Sequence, residues 1–110
     1  MPAFVYIWEY RVHPDHLDAF LASYGRDGDW ALFFARDPAW LRTELLRDDL
    51  DSARFITVDY WTSREARDAY RAAHDAEFQA IDARCGGLTE YEIFLGDFIV
   101  ADEAVGAKVG

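Results

Sequence analysis

His74 is the one histidine of this 110-residue chain that stands inside an apolar stripe at helical spacing. It follows Tyr70 by four residues and precedes Phe78 by four, so a helix would present all three on one side. An imidazole held there can take a proton from a phenol near neutral pH, with Tyr70 donating a hydrogen bond to a substrate carbonyl. The competing reading is a core histidine satisfied by a carboxylate, for which Glu77 is at hand, and a Tyr70 that only packs. Asp59 is the second candidate base. It alternates with Phe55 and Trp61 on one side of a strand, where burial raises a carboxyl pKa; the competing reading pairs it with a neighbouring arginine such as Arg11 or Arg42, or sets it in a contact with a second copy of the chain. His74 and Glu77 lack the third ligand that a stable metal site requires, and His13 and His16 flank a helix start. No metal is therefore expected. The single cysteine, Cys85, leaves no internal disulfide and reads as a small buried apolar residue.

Around these groups the chain is rich in rings: Phe, Trp and Tyr make up 16% of it, more than a minimal core needs. Trp8, Trp30, Phe33, Trp61 and Phe78, with Tyr70, are the expected lining of a pocket for a small flat aromatic molecule. The stretch "SYGRDGDWALFF" interrupts a helical pattern with Gly25 and Gly28 and then resumes it with Trp30 and Phe33. It reads either as a movable cover over a pocket mouth or as capping glycines beside packed rings.

The elements that must hold these residues follow from periodicity. Ala3 to Val12 alternates as a strand that is apolar on both faces. Pro14 to Tyr24 reads as a helix with Leu17, Phe20, Leu21 and Tyr24 on one face, and Asp29 as the cap of a short second helix closed by Pro38. Trp40–Asp48 and Arg54–Trp61 form a hairpin across "DDLDSA". "TSRE" is a capping box with Thr62 as N-cap, opening one long helix to Gly86. Leu88 to Val100 is a last strand, with Tyr91, Ile93, Leu95 and Ile99 on one face, Phe94 and Phe98 on the other, and a bend or bulge at Gly96. The order β-α-β-β-α-β gives an α+β, ferredoxin-like domain over residues 1–100, with a four-stranded antiparallel sheet and a flexible tail over 101–110. Two helices cover one sheet face only, so the second apolar face is expected to pack on another copy of the chain as a homodimer.

The formal charge of −10, from 21 acids and 11 bases, argues against nucleic acid or an anionic membrane surface as a partner. The start "MPAFVYIWEY" lacks a signal-peptide pattern and no run is long enough to span a membrane, so a cytoplasmic protein is expected.

In "YIWEYRVHPDHLDAF", "YGRDGDWALFF", "TELLRD" and above all "FITVDYWTSREARDAY", the chain resembles the antibiotic-biosynthesis-monooxygenase-like family of the dimeric α+β barrel superfamily, over roughly residues 4–100. The resemblance implies a barrel built from two chains, each with a pocket between helices and sheet. It also implies a monooxygenase that works without cofactor on a phenolic, quinol or polyketide-like substrate. Two other readings stand beside it: a non-catalytic ligand-binding or accessory dimer, and a cyclase or isomerase using the same pocket. The haem-degrading branch of such proteins needs an asparagine, a tryptophan and a histidine. This chain has no asparagine, and a rough alignment puts Trp8, Tyr70 and Ala80 at the three places.

Overall fold

Four strands and four helices make up the computed structural model, which describes residues 2–102. Strand β1 is Phe4–Val12; a 3-10 turn, Pro14–His16, leads into α1, Leu17–Tyr24, and α2, Asp29–Phe34. The hairpin strands are β2, Trp40–Arg47, and β3, Arg54–Trp61; α3, Arg64–Ala73, α4, Asp75–Cys85, and β4, Thr89–Ile99, complete the chain. The sheet is antiparallel throughout with order β2-β3-β1-β4, which is the ferredoxin-like arrangement expected, each helical connection being broken in two. From position 103 onward the expected tail lies outside the described residues.

The helices cover the face that carries Phe4, Tyr6, Tyr10 and Val12 of β1 with Phe55, Thr57, Asp59 and Trp61 of β3. Rings from both layers interlock there: Tyr10 meets Phe20 and Tyr24, and Trp61 meets Phe34 and Tyr70. Enclosing a side chain such as Phe20, which has no exposed surface, contributes about 1.5–3 kcal/mol.

Three local features differ from the sequence expectation. The N-cap of α3 is Ser63, whose Oγ accepts from the Ala66 N–H at 3.1 Å; Thr62 still belongs to the sheet end, its N–H donating to the Ala39 carbonyl, so Glu65 closes no capping box. The expected single long helix is two, because His74 leaves helical geometry (φ −123°, ψ 33°) and Asp75 and Glu77 begin a new first turn, where negative charge is favoured. Gly28, not Asp29, caps α2, and the Asp29 carboxylate instead accepts from Ser23 Oγ at 3.0 Å.

The interrupted stretch 23–34 is held by close approach. A Cβ on Gly28 would lie 2.6 Å from the Ala22 carbonyl oxygen and 2.8 Å from Ser23, and one on Gly25 would lie 2.7 Å from the Leu21 oxygen. Both glycines let α2 fold tightly back on the end of α1.

At Gly96 (φ 144°) β4 carries the anticipated bulge: Ile7 pairs with Gly96 and Trp8 with Phe94, leaving Leu95 extra. The bulge reverses the alternation beyond it. Phe98, opposite Val5, therefore shares a face with Ile93, opposite Glu9, while Phe94 lies with Trp8 on the helix side; the expected grouping of Phe94 with Phe98 is corrected. The face without helices holds Val5, Ile7, Ile56 and Val58 at its centre, with Leu46, Ile93 and Phe98 each nearly half exposed. Arg54, bonded to Glu9 and Asp48, and Arg11, bonded to Asp51, border it.

Candidate active site

Strand register places four polar side chains in one row across the helix-covered face. Thr43 of β2 stands opposite Asp59 of β3, Asp59 opposite Tyr6 of β1, and Tyr6 opposite Asp97 of β4. Above this row lies a cavity of about 510 Å³, walled by Trp8, Trp30, Phe34, Phe78 and Phe94, and reached from α3 by Arg67 and Arg71.

Asp59 is only 5% exposed. Its Oδ1 accepts from Thr43 Oγ1, and it makes no ion pair with the described residues. Arg11 and Arg42, the partners considered from sequence, are engaged by Asp51 and Glu44. Loss of water pushes the Asp59 pKa up to about 7, against the pull of the Thr43 hydrogen bond and the Arg67 charge. Burial, and then the Asp59 charge, raises Tyr6 well above an ordinary phenol; burial also raises Tyr10 and Tyr24. These three hydroxyls therefore stay protonated and can act as donors.

Arg67 is largely enclosed, its guanidinium carbon 4.7 Å from the Tyr6 ring centroid and 5.0 Å from that of Phe4. Asp97 neutralises this region, accepting from Arg64 at 3.1 Å and lying 3.6 Å from Arg67. Arg71 lies 4.1 Å over the Phe78 ring. Opposite, Glu92 is raised by partial burial and by the nearby Asp82. The cavity thus combines aromatic walls, one buried carboxyl that can carry or release a proton near neutral pH, and hydroxyl donors beside it.

Of the residues singled out from sequence, Asp59, Trp8, Trp30 and Phe78 line this cavity together. His74, Tyr70, Phe33 and Trp61 do not. The break between α3 and α4 leaves the His74 side chain 38% exposed, 3.5 Å from Glu77, which also bonds Arg36. Tyr70 donates to the Phe33 carbonyl at 2.6 Å and accepts from Arg36 Nε at 3.0 Å, tying α3 to α2. Trp61 is wholly enclosed against Phe34 and Tyr70. Phe33 faces a shallower depression on the outer side of α2 and α4. Trp30 bears on Phe34 and Phe78 as part of the wall. Sequence reasoning missed Tyr6, Thr43, Arg67 and Asp97. The alternation Tyr6, Trp8, Tyr10 was a readable signal for the first; the others required the strand register. Among the described residues no group of three or more His, Cys, Asp or Glu could hold a metal ion, and no helix is long and apolar enough to cross a membrane.

A family model described as antibiotic biosynthesis monooxygenase matches residues 3–84. No curated protein matches the chain in sequence. Among solved structures, SnoaB from Streptomyces nogalater, a cofactor-independent oxygenase, in a mutant form, is 21% identical with a TM-score of 0.69, over 96% of this chain and 100% of that one. A conserved protein from Methanosarcina mazei Go1 is 9% identical with a TM-score of 0.73, over 89% and 92% of the two chains. A protein from Shewanella oneidensis is 16% identical with a TM-score of 0.70, over 89% and 90%. At these identities the likeness establishes the fold.

Proposed function

The chain belongs to the antibiotic biosynthesis monooxygenase family, and on that premise we propose that it is a cofactor-independent monooxygenase of a small aromatic substrate, with Asp59 as its base. The observation that carries this reading is the buried Asp59 carboxyl on the floor of a ring-walled cavity of about 510 Å³. A phenolic or anthrone-like molecule seated between Trp8, Phe78 and Phe94 gives a proton to Asp59 and becomes an electron-rich anion. The anion passes one electron to O2, and the two radicals combine to a peroxide anion on the ring carbon, which takes the proton back from Asp59 to become a hydroperoxide. Loss of water then leaves a carbonyl: one CH2 and one O2 become one C=O and one H2O, the Asp59 proton leaving with the departing oxygen. The rings keep bulk water away from the intermediate. Asp59 takes the part of base because it faces the cavity, whereas His74 and Tyr70 lie outside its lining.

The apolar sheet face around Ile56, Val58, Ile93 and Phe98 supports a homodimer, with a second copy covering what the helices leave open. A monomer would normally set polar residues there. Incubating the protein with anthrone- and hydroquinone-type compounds, while following O2 uptake and product mass, tests the reaction. One O2 consumed per carbonyl formed supports it. Conversion that continues without O2 would assign a cyclisation or rearrangement instead, and binding without conversion a ligand-binding protein.

A further inference from the structure

We propose that Thr43 is the positioning residue of the Asp59 carboxylate, holding Oδ1 through a relay anchored at Trp40 so that Oδ2 alone receives a proton from a bound molecule. The inference rests on the base role proposed above for Asp59 and extends it to the group that orients the base.

The geometry is a short chain of donors along β2 and β3. Trp40 Nε1 donates to Thr43 Oγ1 at 3.2 Å, and Thr43 Oγ1 donates to Asp59 Oδ1. A hydroxyl has one proton. Because the indole N–H sits on an acceptor lobe of Thr43, that proton is turned toward Asp59. The indole has no acceptor capacity, so the direction of the relay cannot reverse at Trp40. Asp59 Oδ2 takes no hydrogen bond from the described residues, yet it is not among their sealed-off polar atoms, so it opens onto the cavity that Asp59 lines. Thr43 lines the same cavity. Other charged or titratable groups facing Asp59 are Tyr6 and Tyr10 from β1 and Arg67 from α3, with Asp97 of β4 one strand further. None of these makes a hydrogen bond to Asp59. Thr43 is therefore the contact that selects between the two oxygens, and the carboxylate is presented edge-on with Oδ2 leading.

The test compares the parent with Thr43→Val, which keeps the shape and removes the hydroxyl, Thr43→Ala, should the valine fail to fold, and Thr43→Ser, which keeps the hydroxyl. The Asp59 titration midpoint is read from carboxyl 13C shifts of the whole protein, assigned with Asp59→Asn, and the pH dependence of kcat is read in parallel. Removing the hydroxyl is expected to move both midpoints upward by roughly one unit, the effect of one hydrogen bond to a charged group, and serine is expected to restore them. Midpoints that stay at the parent value in a folded Thr43→Val or Thr43→Ala protein would overturn the proposal. A shifted Asp59 midpoint in a protein that oxidises nothing would uphold Thr43 as the orienting group and reject the oxygenase reading. Parental oxidation with unmoved midpoints would do the reverse.

Discussion

Tyr6 and Asp59 stand opposite each other on adjacent strands, both more than nine-tenths buried, on the floor of the ring-walled cavity. Burial raises both, and the Asp59 charge raises Tyr6 further, because a second negative charge in that dry space is costly. The consequence for stability has a definite sign. Unfolded Asp59 releases its proton near 3.8, whereas in the folded protein it does so at about 7. The folded state is thus favoured below the lower value, and that contribution is lost as pH rises through the higher one. Asp59→Asn is expected to be the more stable protein at pH above 7, by on the order of 3 kcal/mol, with the difference vanishing toward pH ~4. Urea melts of the two proteins across pH check this. A mutant less stable than the parent on the alkaline side would contradict it.

His74 should matter little to turnover. It lies at the junction of α3 and α4, paired with Glu77, and does not line the cavity. His74→Ala is expected to keep kcat within about threefold of the parent, since only a group in the proton path carries the ~100-fold or larger effect of a general base. Steady-state rates on any oxidised substrate decide it.

Gly28→Ala is expected to lower stability by about 1–3 kcal/mol, because the added carbon would overlap the α1 backbone, which cannot rotate away as a side chain can. Gly96→Ala should cost a similar ~1–3 kcal/mol for a different reason: a side chain is strained at φ 144°. Thermal melts report both. A neutral Gly28→Ala would mean that α2 is free to lift from α1.

The uncovered sheet face gives a test of assembly. A charge at Phe98 or Ile93, each nearly half exposed in the single chain, has no place inside a sheet-to-sheet contact. Phe98→Glu and Ile93→Glu should convert a dimer to monomers in sedimentation, whereas Leu50→Glu, at a hairpin tip that is 93% exposed, should not. A monomeric parent would contradict the dimer, and Phe98→Glu and Ile93→Glu proteins that still sediment as dimers would contradict this face as its contact.

Much of this fold was readable because two-residue and four-residue periodicities report directly on which face is buried. Asp59 was placed correctly beside Phe55 and Trp61 by parity alone, and the hairpin ends agree with the turn residues. His74 was drawn inward by a stripe that presumed one continuous helix; one non-helical residue was enough to leave it at the outer edge. The Phe94 and Phe98 grouping failed for a related reason, since a bulge resets the alternation that parity relies on. Thr43, Arg67 and Asp97 were out of reach because their relation to Asp59 exists only across strands and layers. Sequence spacing along one segment carries no information about register between segments.

The most direct measurement is O2 uptake by the parent and by Asp59→Asn, with an aromatic compound shown to occupy the cavity by quenching of Trp8 and Trp30 fluorescence. Both proteins should bind it. The parent should consume one O2 per molecule converted, and the Asp59→Asn rate should fall by ~100-fold or more, the usual weight of a general base. Equal rates in the two proteins, or no uptake by the parent with any compound it binds, would contradict Asp59 as the base of an oxygenase.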